Sequence, residues 1–238
     1  MKDTDALLSD GIRILRESDS DIENLVASRN EEIISLLVRY IKEIELFNSA
    51  YGLVGAGSTE ELVIKHILDS LAPLGILLRL FKELRTQNDN TLRGKLRCMM
   101  QIADAGSGAG LPGIPLAIAL PDCHFTLIER MGRRAGFLYG AKAVLELSNV
   151  TIEEKTLENT ETGRFDLITF RAFKPMETKL LKVLQNACTQ GGIIAAYKGK
   201  PEKTEQEMSQ FKNDNVKWEA IRYNVPFLNE ERHLLVIR

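Results

Sequence analysis

The stretch that most restricts the fold of this chain is residues 104 to 121, DAGSGAGLPGIPLAIALP, which follows directly on the apolar run Met99-Met100-Gln101-Ile102-Ala103. The run reads as a buried strand. Gly106, Gly108, Gly110 and Gly113 then let the chain turn sharply and bring bare backbone against a ligand. Pro112 and Pro115 suit the first turn of a following helix, where a missing N–H costs little. Strand, glycine loop and helix N-terminus, with its unpaired N–H groups, together make a ligand-binding unit of an α/β fold.

The chain downstream keeps that texture. Strands are expected over 99–104, 124–129, 165–170 and 192–197, with helices near 113–120, 132–146, 176–188 and 201–213. This alternation predicts a doubly wound parallel sheet with helices on both faces. The last two apolar segments, 216–223 and 233–237, are separated by a loop too short for a crossover helix. They read as an antiparallel hairpin closing the sheet. Residues 98–238 are therefore expected to form one α/β domain, and residues 1–97 an N-terminal helical region with a loop. In that region Ser28-Arg29-Asn30-Glu31 and Ser58-Thr59-Glu60-Glu61 have the capping-box pattern. Ile34, Leu37, Ile41 and Ile44 share one helical face, as do Val63, Ile67, Leu71 and Leu74, and Gly52 is placed to end the first of these helices. Residues 84–97, LRTQNDNTLRGKLR, are polar and basic and read as an exposed loop.

A net charge of −2 over 238 residues gives no global reason to expect nucleic-acid binding, although local basic clusters can supply phosphate contacts. The N-terminus has acids among its apolar residues and lacks the apolar core of a secretory signal. No apolar stretch approaches the roughly 20 residues needed to span a bilayer. Cys98, Cys123 and Cys188 are odd in number and scattered, as expected of reduced thiols in a cytoplasmic protein. His66, His124 and His233 are equally dispersed, so no metal site is expected. His66 and His233, set among apolar residues, read as packed core histidines.

The glycine loop has two registers. Gly108-x-Gly110-x-x-Gly113 fits the dinucleotide fingerprint, with Glu129 at the end of the next strand placed to bind a ribose. Asp104-x-Gly106-x-Gly108-x-Gly110 fits S-adenosylmethionine, whose ribose needs the same acid. Asp104 separates the two readings: a carboxylate there would repel a pyrophosphate but could help position a cationic amino-acid end. The only Tyr/Lys pair near a strand end, Tyr197 and Lys200, has no acid–base relay around it. Methyl transfer is favoured over hydride transfer.

DAGSGAGLPGIPLAIALP followed by FTLIERMGRRAGFL closely resembles the small-subunit ribosomal RNA guanine-N7 methyltransferases, historically named glucose-inhibited division protein B. KHILDS (65–70), SNV (148–150), FDLITFRAF (165–173), AYKGK (196–200) and ERHLLVI (231–237) extend the resemblance over about 48 to 75 and nearly everything from 99 onward. It implies a class I S-adenosylmethionine-dependent methyltransferase fold, a Rossmann-like doubly wound sheet ending in an antiparallel hairpin, with an N-terminal helical extension. The implied donor is S-adenosylmethionine and the implied acceptor a guanine of 16S rRNA in the small ribosomal subunit. By position, Asp104, Gly106, Gly108, Gly110 and Leu111 fall in the cofactor loop and Glu129 at the ribose contact. Leu157 and Glu158 fall on the adenine side, and Arg171 matches the family's cofactor-site arginine. The chain departs from the family's usual pattern at Lys155-Thr156 and Gly52-Leu53-Val54, and its segment from about 75 to 98 is longer than expected.

Guanine N7 carries a free lone pair, so its methylation needs no general base. What remains is in-line positioning and exclusion of water. Arg171 and Lys198 are accordingly the candidates at the reacting centre, holding a carboxylate, phosphate or base edge and moving no proton. A salt bridge tying two strand ends is the alternative role for Arg171. Arg130, Arg133, Arg134, Lys198, Lys200, Lys203, Arg93, Lys95 and Arg97 are the candidates for RNA phosphates. The expected protein is a cytoplasmic monomer without membrane contact. A methyltransferase of another substrate, or a non-catalytic protein of ribosome assembly, are the competing functions.

Overall fold

A computed structural model of the protein describes residues 4–88, 99–171, 175–212 and 216–238. The N-terminal layer opens with α1 (Thr4–Ser18), α2 (Ser20–Val26) and α3 (Asn30–Tyr51). α3 ends as its sequence predicts: Gly52 adopts the left-handed conformation (φ 58°, ψ 51°) and its N–H donates to the Asn48 carbonyl at 2.9 Å. Its start differs from expectation. Ser28 lies inside a short 3₁₀ turn, Ala27–Arg29, that runs straight into α3, so the serine makes no cap. The second capping signal holds, because Ser58 Oγ accepts from the Glu61 N–H at 3.1 Å and starts α4 (Thr59–Leu62). The carboxylate of Glu61 reaches back one residue further than in a capping box, to the Gly57 N–H at 2.7 Å.

α4 passes without a break into a π-helical turn, Val63–Leu68, and then into α5 (Asp69–Leu71). α6 (Leu74–Asn88) follows and carries helix past the point where a loop was expected to begin. Leu84 explains the extension, since it is 2% exposed and packed in the core. The remainder of the expected loop, with Arg93, Lys95 and Arg97, lies outside the described residues.

Seven strands form one sheet: β1 (Met100–Ala105), β2 (Cys123–Ile128), β3 (Val150–Glu153), β4 (Phe165–Arg171), β5 (Cys188–Lys198), β6 (Trp218–Tyr223) and β7 (Arg232–Ile237). Their order is β3-β2-β1-β4-β5-β7-β6, with β1 to β5 parallel and β7 antiparallel between β5 and β6. The connecting helices are α7 (Gly113–Ala119), α8 (Gly132–Leu145), α9 (Thr178–Ala187) and α10 (Pro201–Ser209). This is the doubly wound sheet closed by a hairpin that the alternation predicts. β3 was not expected as a strand. Its four residues alternate buried and half-buried at the sheet edge and are too few to show a period.

Side chains alternate strictly between two apolar layers, as a pleated sheet requires. Ile102, Leu167, Ile193, Ala195, Leu234 and Val236 face one layer, which also takes in Leu8, Leu37, Ile41 and Ile67 of the N-terminal helices. Ala103, Ile168, Phe170, Ile194, Leu235 and Ile237 face the other, with Leu184 of α9 and Met208 of α10. The N-terminal helices thus share their core with one face of the sheet. Helices and sheet should therefore unfold together. We predict a single transition in calorimetry with equal calorimetric and van't Hoff enthalpies; two resolved transitions would contradict the shared core.

Candidate active site

β1 is flanked by β2 on one side and β4 on the other, so the chain reverses its winding there. A doubly wound sheet binds its ligand at the carboxyl ends of such strands. The glycine loop leaves β1 at that point. Asp104 is completely buried, and its Oδ2 accepts from Ser107 Oγ at 2.6 Å and from the Gly113 N–H at 3.0 Å. Burial pushes its pKa up to about 6, against the lowering pull of those two bonds and of the Arg171 charge. Its Oδ1 is buried without a partner.

The loop is tied to β2 by the N–H groups of Gly106 and Ser107, both donating to the Ile128 carbonyl at 2.9 and 3.1 Å. Gly106, Gly108 and Gly110 have φ of 69°, 59° and 90°, a region that favours glycine. At Gly108 a side chain would meet open space. At Gly113 a Cβ would lie 2.4 Å from Leu127 Cδ2 and 2.7 Å from Asp104 Oδ2, so that glycine lets α7 pack on the sheet. Glu129, 4% exposed, accepts from the Gly108 N–H at 2.9 Å and from the Met131 N–H at 2.8 Å. The acid at the end of β2 therefore grips the loop from the β1 end. Leu111 is buried beside them, and Tyr40 of α3 donates to the Ala109 carbonyl from below. Leu157, in the turn Leu157–Asn159, is buried in the layer that holds Ala105 and Ile128, and Glu158 beside it is exposed.

A second group of residues gathers one strand further along. Arg171 ends β4 and reaches the π-helical turn: its Nη1 donates to the Lys65 carbonyl at 3.0 Å and to Asp69 Oδ2 at 3.3 Å, and its Nη2 meets His66 Nδ1 at 2.8 Å. The Lys65 carbonyl, which has two lone pairs, takes this outside donor from within the π-helical turn. Asp69 also accepts from Tyr223 Oη at 3.2 Å and pairs with Arg232 at 3.5 Å. Tyr197 Oη donates to the Ser70 carbonyl at 2.8 Å. These residues border an open cleft of about 560 Å³, with Lys198 on its far wall. Lys198 is held there by Glu207 of α10 at 2.6 Å.

Arg171 thus forms an ion pair, but with the helical layer and not with a second strand end. His66 corrects its expectation outright: it lines the cleft and is not core, and burial together with the Arg171 charge pushes its pKa down to about 4. His233 is a core histidine, 3% exposed, with Nε2 on Thr204 Oγ1 at 2.9 Å. Of the basic cluster after Glu129, Arg130 and Arg133 are exposed, while Arg134 donates to the Gly52 carbonyl at 3.3 Å. His66, Asp69, Tyr223 and Arg232 were not singled out as site residues from sequence. For His66, Asp69 and Arg232 the signal was present only as the short segments KHILDS and ERHLLVI, and Tyr223 lies in neither. Among the described residues no group of three His, Cys, Asp or Glu could hold a metal ion, and no helix is long and apolar enough to cross a membrane.

The family described as rRNA small subunit methyltransferase G matches residues 33–235, a span that contains both groups of residues. The chain belongs to this family. It is similar to the ribosomal RNA small subunit methyltransferase G of Treponema denticola, 34% identical over 97% of this chain and 95% of that one. The protein of the same description from Treponema pallidum is 37% identical over 98% and 93%. That from Nitrosococcus oceani is 32% identical over 86% of each. The family match begins within α3, so α1 and α2 lie outside it.

Two outcomes follow from the Arg171 contacts. Its side chain is 15% exposed and that of Asp69 6%, so Arg171→Ala leaves a buried carboxylate with weaker partners and should cost about 3 kcal/mol in denaturant unfolding. His66 titrates lower in the folded chain than its ordinary 6.5, so the folded state binds fewer protons than the unfolded one. Its contribution to stability is present above about pH 6.5 and is lost as pH falls toward 4. His66→Gln should flatten the melting-temperature profile in that window.

Proposed function

We propose that the protein transfers the methyl group of S-adenosylmethionine to N7 of a guanine in 16S rRNA of the small ribosomal subunit. The observation that carries this reading is the meeting of two residue sets at one sheet edge: the glycine loop with Asp104 and Glu129, and the Arg171 cleft. Asp104 lies opposite Thr169 on the neighbouring strand, two residues before Arg171, so the two sets adjoin.

The residues present fit the donor molecule. A buried, unpartnered carboxylate oxygen on Asp104 suits a ligand bearing a cationic amino group, and the open space over Gly108 leaves the loop backbone accessible. Asp104, Gly106, Gly108, Gly110 and Leu111 would hold the amino-acid end, with Arg171 placed toward its carboxylate. Glu129 would take the ribose, and Leu157 with Glu158 the adenine side. When bound, S-adenosylmethionine supplies an electrophilic methyl group carried on a sulfonium.

The work of the chain's own residues is positioning. N7 attacks with a lone pair that is already free, so no proton has to be removed first. The cleft matches this economy: His66, held near pKa 4, is a poor base at neutral pH. Positive charge appears on the base as the methyl arrives. Lys198 bears on that charge only as half of its ion pair with Glu207, which keeps a bare cation away from the reacting atoms. Arg130 and Arg133, exposed next to Glu129, are placed for phosphates of the RNA around the target. A reaction on the ribosome puts the enzyme in the cytoplasm, and the site is complete within one chain, in keeping with a monomer.

The direct test offers radiolabelled S-adenosylmethionine with under-methylated small subunits, with naked 16S rRNA, or with no RNA. Label at guanine N7 in at least one RNA arm is expected; label in neither RNA arm overturns the reading and favours a non-catalytic assembly role. For the cofactor, Gly108→Asp places a carboxylate over the loop next to Glu129. Calorimetry should show S-adenosylmethionine affinity down by about 100-fold, with the circular dichroism of the fold unchanged.

A further inference from the structure

We propose that His66 reads the acceptor base: its Nε2–H donates to O6 of the guanine and so selects guanine over adenine while leaving N7 free to react. The inference rests on the guanine reading above and adds to it the residue that discriminates the base.

The proton's position follows from the partner. Arg171 can only donate, so His66 Nδ1, 2.8 Å from its Nη2, must accept, and the ring proton sits on Nε2. The low pKa keeps Nδ1 unprotonated at neutral pH, so this tautomer is the working one. Arg171 is itself immobilised by the Lys65 carbonyl and Asp69, which fixes the plane of the imidazole.

The other polar groups around the cleft already have partners. Lys65 pairs with Glu61 at 2.8 Å, Lys198 with Glu207, Tyr197 with the Ser70 carbonyl, and Tyr223 with Asp69. His66 Nε2–H makes no hydrogen bond among the described residues, yet the ring lines the cleft. It is a pre-oriented neutral donor with no acceptor among the described residues.

Guanine offers N7 and O6 as adjacent acceptors on one edge, whereas adenine has an amino donor in place of O6. A cationic reader spanning N7 and O6 would engage the lone pair that must attack. A single neutral donor confined to O6 leaves that lone pair free and does not oppose the charge that develops on the ring. Adenine in the same place would set its amino group against Nε2–H, donor against donor.

The test is a cycle of two enzymes and two bases. Small subunits are reconstituted with 16S rRNA carrying either guanine or 2-aminopurine at the mapped acceptor position; 2-aminopurine keeps N7 but has no O6. Wild type should lose about 10- to 100-fold in kcat/KM on 2-aminopurine. His66→Ala should lose about as much on guanine, and little more when 2-aminopurine replaces it, because the contact is already gone. His66→Gln, which retains an amide donor, should recover part of the rate on guanine. S-adenosylmethionine affinity of both variants, measured by calorimetry, should equal that of wild type. Additive losses in the cycle, or a fall in cofactor affinity that matches the fall in rate, overturn the proposal. Wild type that leaves guanine unmethylated would instead remove the function on which the proposal stands.

Discussion

The site depends on one arginine. Arg171 stands where the fourth strand leaves the sheet, and its guanidinium is satisfied almost wholly by a helix that lies some hundred residues earlier in the chain. A guanidinium presents several donors in a fixed plane; the π-helical turn offers it a carbonyl and an imidazole, and the first residue of α5 a carboxylate. The two hold each other: contacts from residues 65 to 69 fix the guanidinium, and the guanidinium ties that stretch to the end of β4.

From this contact the rest of the site follows as a chain of shared partners. Asp69 passes from Arg171 to Tyr223 and Arg232, which brings the last two strands into the same cluster. Arg171 also bears electrostatically on Asp104, which holds the start of α7 against the sheet through Gly113. Glu129 completes the frame from the β2 side by gripping the Gly108 amide. The helical layer is thus one wall of the cleft in which the chemistry is placed, as well as part of the core.

Much of this was legible in the sequence because it rests on local rules. The glycine loop, the proline-started helix and the alternation of strands and helices each follow from short-range sterics or period, and the strand ends fell within a residue or two for β1, β2 and β4. Gly52 and Ser58 announced a helix end and start for the same reason. The failures share the opposite cause. Ser28 matches a cap, yet a 3₁₀ turn carries the backbone through it, and Leu84 holds helix in a segment whose composition reads as loop. His66 is the clearest case. Its neighbours are apolar, which suggests core, but its ring meets Arg171, which comes from the end of β4 some hundred residues later in the chain. At the candidate site, loop residues could be read singly, whereas the cleft exists only once four distant segments meet.

The placement of β7 also bears on how the protein is made. It lies between β5 and β6 and, among the described residues, is the only strand that β6 pairs with. Until residues 232–237 are in place, β5 has a bare inner edge, β6 has no ladder, and Arg232 is absent from Asp69. Synthesis from the N-terminus can lay down the helical layer and the first five strands, but the sheet closes only after its penultimate position is filled by its latest segment. The strand that completes the sheet therefore also completes the cleft, because it carries Arg232 to Asp69.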